Sequence, residues 1–203
     1  MPYDPQKHHR RSIRLKGYDY SQAGLYFITT CVQNRKYLFG KINNGEMILN
    51  DAGKMIETEW LDLKNRFPNI ELHEFVVMPN HFHSILEIQN TPVRAPLVGA
   101  LGADAQDVDI RNNGDNETQH SHMKGQQGLS QQKTVGDMMD AFKSITTVEY
   151  IRGVKQMGWQ PFDGKLWQRN YYEHIIRNEA ACQRIVAYII NNPVNWDKDK
   201  FST

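Results

Sequence analysis

The amino-acid sequence predicts an α+β fold, in which helices pack on one face of an antiparallel sheet. Apolar runs rich in aromatic and β-branched residues predict strands at 25–32, 70–77 and 81–88. Stretches with apolar residues at helical spacing lie between and after these runs. The predicted order is strand, strand, helix, hairpin, helix, strand, helix, which is typical of a ferredoxin-like sheet.

Turn-forming residues delimit the predicted strands. The turn Asn43-Asn44-Gly45 precedes a short second strand. The residues Met78-Pro79-Asn80 predict a tight turn, so the apolar runs on either side of it form a hairpin. The predicted strands are 25–32, 46–49, 70–77, 81–88 and 166–176.

Capping residues and prolines delimit the predicted helices. Thr134 can cap the second helix, while Pro68 and Pro193 stop the first and the last. The predicted helices run from Asn50 or Asp51 to about Phe67, from Thr134 to Arg152, and from Asn178 to Asn191.

The composition predicts a single globular domain in the cytoplasm. The chain has 203 residues, of which 39% are hydrophobic, and it contains no apolar run of the roughly 18 residues that a membrane span needs. Residues 1–16 are basic and polar, so they do not resemble a signal peptide. Cys31 and Cys182 lie far apart in the sequence and fit no CxxC pattern, which predicts two reduced thiols.

The segment 90–133 differs in composition from the rest of the chain. It contains no Phe, Tyr or Trp and is rich in Gly, Gln, Asn and Asp. A segment with so little apolar surface to bury cannot offset the entropy of ordering. We therefore predict a flexible insertion within the domain.

A basic arm precedes the first predicted strand. The formal net charge of the whole chain is only +1, but Arg10, Arg11, Arg14 and Lys16 lie close together near its start. Such an arm can contact the phosphates of a nucleic acid, or it can be a solvated tail.

His81 and His83 are the most informative residues in the sequence. On a strand, residues two positions apart point to the same face, so both imidazoles can reach one metal ion. The chain contains 8 His, and such a pair also arises by chance on the wet face of a strand. The surrounding run, Val76 to Leu86, is apolar, which favours a buried site.

Tyr188 and Asn192 lie four residues apart on the last predicted helix, so they are neighbours on its surface. The amide oxygen of Asn192 suits a hard cation such as Mg²⁺ or Mn²⁺, and two neutral imidazoles can add to it. Taken singly, Tyr188 fits the edge of a core and Asn192 fits a helix end before proline.

Together these motifs resemble the single-tyrosine HUH transposases, and most closely the REP-associated tyrosine transposases. The motif Met78-Pro79-Asn80-His81-Phe82-His83 is similar to their histidine-hydrophobe-histidine motif. Residues 11–20 with 26–29 resemble the N-terminal pattern of that family. Residues 167–177 and 188–193 resemble its C-terminal pattern.

The resemblance implies a metal-dependent enzyme that cleaves and rejoins single-stranded or hairpin DNA through a 5′-phosphotyrosine. His81, His83 and Asn192 would bind a divalent metal, Mg²⁺ or Mn²⁺, and Tyr188 would be the nucleophile. Tyr172 is a rival nucleophile. The resemblance leaves open whether the protein is a monomer or a homodimer.

Two other functions are consistent with the same residues. A non-catalytic protein that binds single-stranded nucleic acid would keep the arm and the aromatic residues but would not need Tyr188. A metallohydrolase with a water nucleophile would need a carboxylate base near His81 and His83. Glu87, on the same strand face as His83, is the nearest candidate in the sequence.

We expect limited proteolysis to cut the chain first within residues 90–133, because a segment with little to bury opens readily to a protease. Fragment masses after brief digestion locate the cuts. A variant that lacks the segment should keep its cooperative thermal unfolding, and loss of that transition would contradict the prediction.

Overall fold

The computed structural model describes residues 17–90 and 133–202. Within these ranges, the strands are β1 (Gly24–Cys31), β2 (Gly40–Asn43), β3 (Glu46–Leu49), β4 (Ile70–Met78), β5 (His81–Ile88) and β6 (Tyr172–Ile176). The helices are α1 (Asp51–Leu61), α2 (Leu63–Arg66), α3 (Val135–Met157) and α4 (Glu179–Ile190). A short 3-10 turn, Trp196–Lys198, follows α4.

The main sheet has the order β4-β5-β1-β6, and all of its neighbouring strands are antiparallel. Strands β2 and β3 form a separate hairpin. In the main sheet β1, the first strand, lies between β5 and β6, the last strand, which is the ferredoxin-like arrangement. The predicted α+β fold is therefore confirmed.

Helices α1 and α3 cover one face of the sheet. Trp60 of α1 and Phe142 of α3 contact each other with ring centroids 5.3 Å apart, and both contact Phe82 of β5, at 4.9 and 5.3 Å. All three side chains are fully buried. Burial of such aromatic rings is the largest hydrophobic contribution that single residues can make to the core.

Helix α4 packs against the opposite face of the sheet. Ile189 is buried against Phe27, Ile85 and Ile176, with Ile185 beside them. Phe27 and Ile85 are paired across β1 and β5, so both point to this face. The prediction placed the helices on one face; α1 and α3 lie there, whereas α4 packs on the other face. Its packing brings the end of α4 over the histidine end of β5.

Residues 195–202 return over the same face and are held there by hydrogen bonds from side chains to backbone carbonyl groups. Asn80 donates from Nδ2 to the carbonyl oxygen of Phe201 over 2.7 Å. Arg35 donates to the carbonyl oxygen of Lys200 over 2.8 Å, and Tyr37 donates to that of Ser202. This segment, called segment 195–202 below, carries charged side chains to the histidines.

The boundaries of several elements differ from those predicted. The predicted strand 166–176 is a strand only from Tyr172, because Trp167 instead forms a bridge with Val32 and is buried. Its indole donates to Thr146 Oγ1 over 2.9 Å. The aromatic residue at this position is therefore explained by packing against α3 and does not indicate a strand. Helix α3 extends to Met157, and the predicted helix 51–67 is divided at Asp62. Strand β2 is absent from the prediction.

Some predicted features fall on residues outside the described ranges. These are the basic arm residues Arg10, Arg11, Arg14 and Lys16 and, apart from its two end residues, the insertion 90–133. None of the helices in 17–90 and 133–202 is both long enough and apolar enough to span a bilayer. Cys31 and Cys182 are both free thiols, as predicted.

Trp60→Ala should lower the free energy of unfolding by about 3–5 kcal/mol, because it leaves a cavity against Phe82 and Phe142. Urea unfolding followed by circular dichroism measures the change. Leu61→Ala is the matched control, since Leu61 is the next residue of the same helix and is 53% exposed. It should change the free energy by about 0.5 kcal/mol or less. Equal effects of the two variants would contradict the placement of this core.

Candidate active site

His81 and His83 lie side by side on the face of β5 that α4 covers. The exposed fractions of their side chains are 0% and 1%, and their ring centroids are 4.6 Å apart. In the sheet they pair with Cys31 and Thr29 of β1. Both imidazoles therefore lie on one face of the strand, as predicted.

Asn80 orients the His81 ring. The Asn80 amide donates from Nδ2 to two carbonyl oxygens, those of Arg35 and Phe201, so its Oδ1 faces His81 Nδ1 at 2.9 Å. An amide oxygen only accepts, and Nδ1 therefore carries the proton. This leaves the lone pair of the His81 ring on Nε2, which is buried and has no hydrogen-bond partner.

His83 is held at both ring nitrogens. Its Nδ1 lies 2.7 Å from Thr29 Oγ1, and its Nε2 lies 3.1 Å from the hydroxyl of Tyr188. Phe27 stacks on the ring, with centroids 5.5 Å apart. Histidines that bind metals are usually oriented by such a second partner on the other nitrogen.

Both imidazoles are in the form that binds a metal. Burial lowers the pKa of His81 to about 4, and it lowers the pKa of His83 well below its usual value. Each ring is therefore neutral at physiological pH. A neutral ring offers a lone pair to a cation without first losing a proton.

Asn192 lies at the same place, two residues beyond the end of α4. It is 2% exposed, and its Nδ2 donates to Asp199 Oδ2 over 3.1 Å. This bond identifies the other amide atom as the oxygen, which is buried without a hydrogen-bond partner. The amide lies close enough to the His81 ring and to the Tyr188 hydroxyl to contribute to the pKa of each.

Asp199 is the site residue that the sequence analysis missed. A ligand atom of its carboxylate and one from each of His81 and His83 all lie within 4.8 Å of one another, so these residues form a group that can hold a metal ion. Asp199 belongs to the run Asp197-Lys198-Asp199-Lys200, which in sequence resembles any solvated charged stretch. Asp199 differs from such a stretch only because segment 195–202 returns over β5.

The donor set fits a divalent cation. The lone pair of His81 Nε2 and the oxygen of Asn192 are acceptors, both are buried, and neither has a donor. Two unsatisfied acceptors in one buried place are costly, and a cation between them would satisfy both. Two imidazole nitrogens, an amide oxygen and a carboxylate oxygen are suitable ligands for Mg²⁺ or Mn²⁺.

Tyr188 is directed from α4 towards His83, a member of the group that can hold a metal ion. Its ring lies 5.1 Å from the His83 ring, and it contacts Phe27 edge-on at 6.1 Å. The side chain is 41% exposed, so its hydroxyl can be reached from a cleft of about 780 Å³. Burial raises the pKa of the phenol to about 12, with a further contribution from Asp199.

Tyr172, the rival nucleophile, lies in the same cleft but away from the histidines. Thr29 of β1 pairs with His83 on one side and with Tyr172 on the other. The two residues are therefore two strands apart, roughly 10 Å across the sheet. The ring of Tyr172 contacts Phe27 edge-on at 6.3 Å.

Glu87, the carboxylate considered for a water nucleophile, is far from the site. It lies four residues along β5 from His83, which is roughly 13 Å. Its Oε2 is 2.8 Å from His73 Nε2 on β4. In the described part of the chain, Asp199 is the carboxylate that lies beside the two histidines.

The chain is similar to an uncharacterized protein from Haemophilus influenzae. The two are 39% identical over 198 residues, which are 98% of this chain and 96% of that protein. No protein-family model matches the chain.

Two solved structures are more distantly similar. One is a REP-associated tyrosine transposase bound to a REP hairpin, at 19% identity and a TM-score of 0.46, covering 91% of this chain and 74% of that chain. The other is a candidate transposase from Deinococcus radiodurans, at 16% identity and a TM-score of 0.42, covering 89% of this chain and 97% of that chain. Likeness at this level does not transfer an activity.

Replacing His81 and His83 together by alanine should abolish binding of Mn²⁺ to the protein. Each substitution removes a donor nitrogen. The loss of Mn²⁺ affinity should therefore exceed the roughly 10–100-fold loss that follows removal of a residue that only hydrogen-bonds to a metal ligand. Electron paramagnetic resonance of free Mn²⁺ during a titration measures the affinity.

His73→Ala is the control, because His73 is paired with Glu87 and lies outside the group. Circular dichroism shows whether the double variant is folded. Unchanged Mn²⁺ affinity in a folded double variant would remove the metal site from these histidines.

Proposed function

The chain belongs to the same family as the uncharacterized Haemophilus influenzae protein, and we propose that it is a metal-dependent tyrosine transposase that cleaves and rejoins single-stranded, hairpin-forming DNA. One observation carries the proposal. The hydroxyl of Tyr188 lies 3.1 Å from His83 Nε2, at a buried group of donors that suits a divalent cation. The proposed nucleophile therefore lies next to the proposed metal site.

His81, His83 and Asn192 are the proposed ligands of the divalent metal, Mg²⁺ or Mn²⁺. Asn80 and Thr29 hold the two rings by their Nδ1 atoms, so the Nε2 atoms are already oriented. Such a metal polarises a bound phosphate and stabilises the charge that develops on it. Asp199 accepts a hydrogen bond from Nδ2 of Asn192, so the amide oxygen of Asn192 is directed away from this carboxylate.

Tyr188 is the proposed nucleophile. Its phenolic oxygen forms a bond to phosphorus while the bond to the 3′-oxygen of the preceding nucleotide breaks. The phenolic proton passes to the carboxylate of Asp199, which interacts with the hydroxyl, and the leaving 3′-oxygen takes a proton from water. The products are a 5′-phosphotyrosine and a free 3′-hydroxyl. Because phenol is a weak nucleophile at its usual pKa, the position of Tyr188 supplies much of its reactivity.

The covalent product makes the reaction reversible. The phosphotyrosine bond retains the energy of the phosphodiester, so a 3′-hydroxyl from the same or another strand can attack it and release Tyr188. Attack by water would release that energy and end the reaction. A tyrosine at the metal therefore supports strand transfer as well as cleavage.

The proposed substrate is single-stranded DNA next to a hairpin. Arg10, Arg11, Arg14 and Lys16 are proposed to contact its phosphates, as the sequence of the basic arm predicts. These contacts would add affinity but no sequence recognition.

Tyr188→Phe should abolish the covalent adduct with DNA while leaving DNA binding and the fold intact. The substitution removes one oxygen and keeps the ring that packs on Phe27 and His83. Incubation of the protein with a labelled single-stranded hairpin DNA and Mn²⁺, followed by a denaturing gel, detects the adduct.

Tyr172→Phe is the matched control, because it makes the same change in the same cleft. This variant should form the adduct like the unchanged protein. An adduct that survives in Tyr188→Phe and disappears in Tyr172→Phe would assign the nucleophile to the strand. Cleavage without an adduct in the unchanged protein would instead indicate a water nucleophile.

A further inference from the structure

The cleft beside Tyr188 has features that nucleophilic attack does not use. Besides the site residues, it is lined by Tyr172 and His174 of β6, by Arg184 of α4, and by Lys198 and Lys200 of segment 195–202. These side chains are arranged around the proposed nucleophile on three different elements. They determine which molecules the cleft can hold.

Tyr172 presents an aromatic surface to this cleft. It is the outermost member of the row His83, Thr29 and Tyr172, which crosses three strands on one face of the sheet. Half of its side chain is exposed, at 50%, although it contacts Phe27. A large exposed ring on a sheet surface is suited to stacking on a flat partner.

The cations of the cleft come from two elements, α4 and segment 195–202. Arg184 precedes Tyr188 by four residues on α4, so the two are neighbours on the helix surface. Lys200 places its ammonium group 4.8 Å above the ring of Phe201, which itself packs on His81 at 4.5 Å. Within the described residues, neither Arg184 nor Lys200 forms an ion pair with a carboxylate.

The balance of charge favours an anionic ligand. Among the described residues that line the cleft, Asp199 is the one acidic side chain, against Arg184, Lys198 and Lys200. Cations alone would bind any polyanion, including duplex DNA. An exposed ring beside them favours a strand whose bases are unstacked, because the faces of paired bases are not accessible.

We propose that this cleft is a groove for a single strand of DNA, in which Tyr172 stacks on a base beside the reacting phosphate while Arg184 and Lys200 bind the flanking phosphates. The reacting phosphate is the one defined by the proposed function, on which this inference rests. The distance of roughly 10 Å across the sheet between His83 and Tyr172 separates the stacked base from the reacting bond. Tyr172 thereby has a role that is distinct from nucleophilic attack.

Binding of a fluorescein-labelled oligothymidylate, measured by fluorescence anisotropy without metal, tests the groove. Tyr172→Ala should weaken binding by roughly 10-fold, as loss of one stacked base does. Tyr172→Phe keeps the ring and should bind within about 2-fold of the unchanged protein. Val148→Ala is the control, since Val148 is similarly exposed on α3, which packs on the other face.

The salt dependence of binding tests the two cations. Arg184→Ala and Lys200→Ala should each weaken binding and lower the slope of log affinity against log salt by about 0.7, the value for one phosphate contact to a single strand. Tyr172→Ala removes no charge and should leave the slope unchanged. A duplex of the same length should bind without any loss in Tyr172→Ala.

The outcomes separate this inference from the proposed function. If Tyr172→Ala binds the oligothymidylate as tightly as the unchanged protein, the groove is refuted, whether or not Tyr188 forms its adduct. If binding depends on Tyr172, Arg184 and Lys200 but no adduct forms, the groove stands and the transposase proposal fails. Equal losses in Tyr172→Ala and Tyr172→Phe would also refute stacking.

Discussion

Two imidazoles can lie buried side by side only if each is neutral and each has a fixed proton. In this protein the Asn80 amide imposes that constraint on His81, because two backbone carbonyl groups occupy its Nδ2 and leave its oxygen for His81 Nδ1. One of these carbonyls belongs to Phe201, so the same amide holds segment 195–202 over the site. The orientation of one side chain thus determines both the histidine tautomer and the position of the segment that carries Asp199.

One face of the sheet packs the main core, and the opposite face carries the candidate site. On β5, Phe82 points to α1 and α3 and belongs to the main core, while His81 and His83 point to α4. Because adjacent residues of a strand alternate in direction, the apolar core and the site share the same eight-residue strand without competing for space. Packing of Ile189 on Phe27 and Ile85 then positions Tyr188, which is the neighbouring residue on α4.

Much of this arrangement is predictable from local patterns. The strands around His81 and the helix around Tyr188 have strong periodicity, and the spacing of Tyr188 and Asn192 predicts that they are neighbours. Asp199 and Trp167 could not be found in this way. Asp199 lies in an irregular segment whose course depends on contacts with Asn80 and Tyr37, distant in sequence. Trp167 lies in an aromatic run that resembles a strand, but its indole bonds to Thr146 instead.

The long separation of the site residues in the chain has a consequence for protein synthesis. Tyr188 and His83 are 105 residues apart, and the intervening chain includes α3 and β6. At translation rates of roughly 5–20 residues per second, β5 leaves the ribosome several seconds before α4. During that interval the nascent chain carries both histidines but not the tyrosine. A growing polypeptide therefore exposes the two histidines before α4 and segment 195–202, which bury them in the finished protein, have been made.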